Sequence, residues 1–215
     1  MLNLLIITSA LAAPPGFKVT KNTDHCELSL GPALGNGVVP MRAECHFPDV
    51  DVDKLHGLMA AYGDHDLYWS SIVSSDVLRT DGSRTWVKQV HQAKGISNRE
   101  AVLVMEKDAV DGGFRYKWTL DNAGLEPASG NVAVAWDDGF WEITRHPEGG
   151  VKAVHQLAYG PGGSVPGFLV RWFVVACALR LLCRPLFLSI GPPLHVVGRT
   201  CSVIVPCAHA ERAVG

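Results

Sequence analysis

Gln89 and His91, two polar residues inside an alternating run, are the side chains of this sequence best placed for chemistry. In Thr85-Trp-Val-Lys-Gln-Val-His91, the neighbours Arg84, Lys88 and Gln92 put the even-numbered face in solvent. Thr85, Val87, Gln89 and His91 then point inward. Burying an amide and an imidazole without partners costs roughly 1–3 kcal/mol each. They therefore orient the polar end of a bound molecule, bond each other, or bond a buried water. The same parity turns Arg99, Leu103 and Met105 inward on the next run, and Tyr116 and Trp118 on the one after, with Lys117 outside. Arg99 is the one charge in that set; at a strand start it either reaches a bound molecule or pairs locally at the rim. His91 as general base near Arg99 is the catalytic arrangement these residues allow.

Other reactive groupings are weaker. Asp64-His65-Asp66, with His56, is the best metal candidate, but successive residues of a loop seldom converge on one ion, and a solvated turn is the simpler account. His46 lies near Asp49 and Asp51, where helix capping is the competing explanation. The six cysteines, at 26, 45, 177, 183, 201 and 207, form no Cys-x-x-Cys pair and no zinc-finger spacing with histidine. No Gly-x-Ser-x-Gly occurs, and no glycine-rich stretch ends in Gly-Lys-Ser/Thr, so neither a nucleophile elbow nor a phosphate loop is present. No catalytic group, metal or cofactor is assigned.

The elements that must position these residues follow from periodicity. Gly35-Asn36-Gly37 marks a turn before an extended segment over 38–47. Asp49, Asp51 and Asp53 suit a helix N-terminus, and Leu55, Leu58, Met59 and Tyr62 form a helical stripe that Gly63 ends. From Ser71 to Tyr159 the period becomes two. Strands are expected over 85–91, 99–105, 114–120, 131–136, 140–145 and 151–159, with turns at Asp81-Gly82, Asp111-Gly112-Gly113, Asp138-Gly139 and Glu148-Gly149-Gly150. A second helix begins near Pro166, with Phe168, Leu169, Trp172 and Phe173 on one face. Antiparallel strands with one apolar face need a cover for that face.

Composition fits one globular domain: 215 residues, 47% hydrophobic, 19% charged, net charge −2. The absence of any Lys/Arg cluster longer than two residues argues against a nucleic-acid partner. Residues 1–13 hold a short apolar run ending in Ala10-Leu11-Ala12, which fits a signal peptide and so a secreted or periplasmic protein. The run lacks Lys and Arg, and a buried N-terminal strand in a cytoplasmic protein is the alternative. In an exported chain Cys26 and Cys45 are candidates to pair; otherwise they are two buried thiols.

This order of elements, with these residues, resembles the START and polyketide-cyclase-like superfamily. Gly63-Asp-His-Asp-Leu-Tyr-Trp69 and the following Val-Leu strand are similar to the family's aspartate-then-tryptophan segment. Ser97-Asn98-Arg99-Glu100 resembles its Arg-Asp element, and Gly139-Phe-Trp-Glu-Ile143 its Gly-x-Trp strand. Tyr159-Gly-Pro-Gly-Gly-Ser-Val-Pro166 resembles the Asp-Pro-Gly-Gly segment that launches the last helix, with Gly160 in place of Asp. Met105 replaces an arginine found in some cholesterol carriers of the family, which puts an internal acid–base pair in doubt.

The resemblance implies an α+β helix-grip fold over 14–173, a curved antiparallel sheet wrapped around a C-terminal helix. It implies a lipid or other hydrophobic ligand in an internal cavity lined by Val87, Gln89, His91, Arg99, Leu103, Met105, Tyr116 and Trp118. It also implies a hinge around Gly160–Gly163, transient contact with a membrane surface, and no catalysis; a cyclase or hydrolase of the same fold is the alternative. From composition alone the inward set reads equally as a packed core. Residues 174–215 depart from the family: Pro185, Pro192, Pro193 and Pro206 break any long helix. A frameshifted end that truncates the last helix is the favoured account, against a genuine extension or an anchor interrupted by Arg171, Arg180 and Arg184.

Overall fold

The computed structural model describes residues 14–69, 71–92 and 95–165. The expected signal peptide, the helix beginning near Pro166 and the tail over 174–215 lie outside the described residues. Ten strands make one curved sheet: β1 Lys18–Asn22, β2 Cys26–Leu30, β3 Met41–Phe47, β4 Ile72–Asp81, β5 Arg84–His91, β6 Arg99–Val110, β7 Gly113–Leu120, β8 Val132–Ala133, β9 Trp136–Arg145 and β10 Val151–Gly160. Their order is β1-β2-β3-β10-β9-β7-β6-β5-β4, antiparallel along that path, with β8 pairing parallel to β6. Helix α1, Val52–Ala60, and the short α2, His65–Tyr68, fill the crossover from β3 to β4.

The hairpins β4–β5, β6–β7 and β9–β10 turn at the expected Asp81-Gly82, Asp111-Gly112-Gly113 and Glu148-Gly149-Gly150. Gly82 and Gly112 take φ of +58° and +73°, where a side chain is strained. Asp51 caps α1, its carboxylate accepting the Lys54 N–H. Val52, Leu55 and Met59 of α1 are buried against Tyr116, Ile143, Val151 and Ala153. These four belong to the inner face of β7, β9 and β10. Further along the same face, Leu28, Met41 and Ala43 form a second apolar cluster, and Val87, Ala101, Leu103 and Met105 a third. The outer face carries ion pairs instead, such as Lys117–Glu106 at 2.8 Å and Arg84–Glu106 at 2.7 Å.

Four expectations change. Helix α1 ends at Ala60 rather than Gly63, and Tyr62 opens a separate 3-10 turn over Tyr62–Asp64. Asp138-Gly139 is no turn: both lie inside β9, and a Cβ at Gly139 would fall 2.5 Å from the Gln156 carbonyl and 2.6 Å from the Trp118 ring. Glycine is there for close approach, not for positive φ. The strand expected over 131–136 shrinks to Val132–Ala133, and β6 runs on to Val110. Strands β1 and β2, which sequence periodicity did not reveal, extend the sheet beyond β3.

Candidate functional site

Strand register brings the expected residues onto one face. Val87 pairs with Leu103, His91 with Arg99, Met105 with Trp118, and Lys107 with Tyr116. Val87, Gln89, Arg99, Leu103, Met105 and Tyr116 are buried, while His91 and Trp118 are half-buried.

Gln89 and His91 do bond each other. The Gln89 amide N–H groups reach His65 Nδ1 at 3.2 Å and Ser75 Oγ at 3.0 Å, and its Oε1 accepts from His91 Nε2 at 3.1 Å. Ser75 Oγ donates to the Tyr62 carbonyl at 2.6 Å, and His65 Nε2 donates to the Met59 carbonyl at 3.3 Å. The chain assigns one tautomer to each ring: Nε2–H on both, with Nδ1 of His65 as acceptor. Burial pushes His91 down to about 4 and also lowers His65. Both rings are therefore neutral near pH 7.

Arg99 is committed to main chain. Its guanidinium donates to the carbonyls of Ser97, Pro161 and Gly162, the last two at 3.2 and 3.4 Å. It thus ties the start of β6 to the glycine-rich segment after β10. Tyr116 turns its hydroxyl to α1, donating to the His56 carbonyl at 3.2 Å beside His56 Nδ1 at 3.1 Å. Burial pushes the Tyr116 phenol up to about 12, with Tyr62 adding to the effect. Trp118 donates its indole N–H to Asp137 Oδ1 at 2.7 Å.

Asp137 and His155 are inner-face groups that sequence reasoning missed. Asp137 is buried, and that burial raises its carboxyl to about 7, against the Trp118 hydrogen bond and with help from Asp138. His155 pairs with Trp141 in register and stacks on its ring at 4.0 Å and 8°. Burial drives it down to about 3. Parity along Val151–Tyr159 would have exposed His155. Asp137 had no local signal, because Asp-Asp-Gly reads as a turn. The Asp64-His65-Asp66 group is not a simple solvated turn either: His65 is buried in the Gln89 chain while Asp64 is exposed, and His56 points elsewhere.

No family profile and no curated protein matches this sequence. Solved structures do match. A STAR-related lipid transfer protein from Xanthomonas axonopodis gives a TM-score of 0.68 at 18% identity, covering 78% of this chain and 94% of that one. Human StAR-related lipid transfer protein 5 gives 0.72 at 13%, covering 80% and 85%. The lipid transfer and protein localization domain of human StarD13 gives 0.67 at 16%, covering 83% and 90%. At these identities the likeness defines the fold. The chain has the α+β fold of START domains, as its motifs implied.

Proposed function

We propose that this protein is a non-catalytic carrier or sensor of a lipid or other hydrophobic molecule, held against the inner face of the sheet. The observation that carries this reading is the make-up of that face. Val87, Leu103, Met105 and Trp118 supply apolar area, and a few fixed polar groups, His91, Asp137 and His155, stand among them. That mixture suits a mostly apolar ligand with one oriented polar end. Affinity comes from apolar burial, at about 25 cal/mol per Å². The lipid transfer named for the START-fold neighbours points the same way.

Two further parts of the reading rest on narrower observations. Cys26 and Cys45 form a disulfide across β2 and β3, which supports an oxidising compartment and hence export. The arrangement of Arg99 argues against the enzyme alternative. His91 and Arg99 are register partners, yet Arg99 spends its donors on carbonyls and His91 is too weak a base to hold a proton near pH 7.

Native mass spectrometry of the protein purified from cells, with organic extraction, tests the proposal. A hydrophobic molecule at near-unit stoichiometry is expected. A folded, empty protein that refuses a panel of lipids would sink it.

A further inference from the structure

A second site stands on the outer rim, away from the inner face. His46 lies near the end of β3, and His146 and Glu148 lie in the turn between β9 and β10. They are far apart in sequence, and the fold of that turn joins them. Gly149 and Gly150 take φ of +99° and +72°, and a Cβ at Gly150 would fall 2.2 Å from the Phe47 carbonyl. Only glycine lets the turn close down on β3 in this way. One donor atom from each of the three side chains then lies within 4.8 Å of the others.

We propose that His46, His146 and Glu148 bind a single borderline divalent cation, with zinc the best match. Two imidazoles and one carboxylate are a zinc donor set, and the fourth tetrahedral position falls to water. The ring of His46 is already set for this role. Its Nε2–H donates to the Gly149 carbonyl at 3.0 Å, leaving the Nδ1 lone pair for the ion. Metal-binding histidines commonly anchor their second nitrogen in this fashion. His146 stacks on His46 at 3.7 Å, and its Nδ1 accepts the exposed Glu148 N–H at 3.2 Å. Seating the ion requires His146 to rotate out of the stack and give up that one hydrogen bond. It stands on a solvent-facing turn, where side-chain rotation is fast. The bound ion would pin the β9–β10 turn to the end of β3. Glu148 also supplies the negative charge that a dication attracts.

Zinc titration of the full chain, stripped with a chelator, tests this by calorimetry, beside His46→Gln, His146→Gln and the neighbouring control His25→Gln. The unmodified chain and the control are expected to bind one zinc ion and to melt at higher temperature with it. Each of the other two variants is expected to lose at least about tenfold in affinity, while melting like the unmodified chain in chelator. Ring signals of labelled histidine should shift at His46 and His146 on adding zinc, a readout that needs no variant. No zinc binding by the unmodified chain overturns the proposal. So does equal binding by all variants, which would place the ion on other donors such as the cysteines at 177, 183, 201 and 207.

Discussion

Replacing Asp137 with Asn removes one titrating group from the inner face and keeps an oxygen for the Trp118 indole N–H. The carboxyl stands at about 7 in the folded protein against 3.8 ordinarily, chiefly because it is buried. Between those values the folded chain holds a proton that the unfolded chain has released. Stability therefore falls as pH rises from about 4 to about 7, and the loss is complete above that. At roughly 1.4 kcal/mol per pH unit, the swing is about 4 kcal/mol. The variant lacks it. Urea unfolding followed by tryptophan fluorescence, for both proteins at pH 4 and pH 8, gives the difference in stability at each pH. Asp137→Asn should gain about 4 kcal/mol on the unmodified protein between the two. All other titrating groups cancel in that comparison. A difference that stays constant with pH would refute the reasoning, because it would mean that Asp137 ionises as it does in water.

His155→Phe keeps a ring over Trp141 and has the opposite pH signature. His155 is held near 3, below its ordinary 6.5, so the unfolded chain takes the proton first and stability falls as pH drops through that window; the variant should unfold at lower pH in an acid titration followed by circular dichroism. Removing the Cys26–Cys45 disulfide by replacing both with Ala should cost about 3 kcal/mol in denaturant, given the 19-residue separation; a thiol count of six in the unfolded, unreduced chain would contradict the bond itself. Arg99→Met should speed amide exchange at Gly162 and Gly163 while β9 and β10 stay protected, since it frees the Pro161 and Gly162 carbonyls. Unchanged exchange there would show that Arg99 does not hold the segment.

Local pattern carried much of the fold. The alternation in 85–91 and 114–120 named the inner face of β5 and β7 correctly, because side chains of a strand must alternate. Asp51 announced the start of α1 through its own chemistry. Where several causes share one residue pattern, local reading failed. Asp138-Gly139 has the composition of a turn, yet Gly139 serves the approach of Trp118 and the β10 backbone. Nothing within a few residues of Gly139 encodes that neighbour. Strands β1 and β2 carry mixed polar sequences, Lys18-Val-Thr-Lys-Asn22 and Cys26-Glu-Leu-Ser-Leu30, and their place is set by pairing, β1 with β2 and β2 with β3.

By itself the sequence determined which side of each central strand a residue faces, and so placed Val87, Gln89, His91, Arg99, Leu103, Met105, Tyr116 and Trp118 on one surface. It did so because facing direction is a property of backbone periodicity. Only the tertiary structure decided what each of those side chains meets there. Gln89 meets His65 and Ser75, Arg99 meets the carbonyls of Pro161 and Gly162, and Tyr116 meets α1. The same holds for the burial that raises the Asp137 carboxyl and for the meeting of His46 with His146. Partners and solvation depend on strand register and on chain crossings between segments distant in sequence, and no local spacing records them.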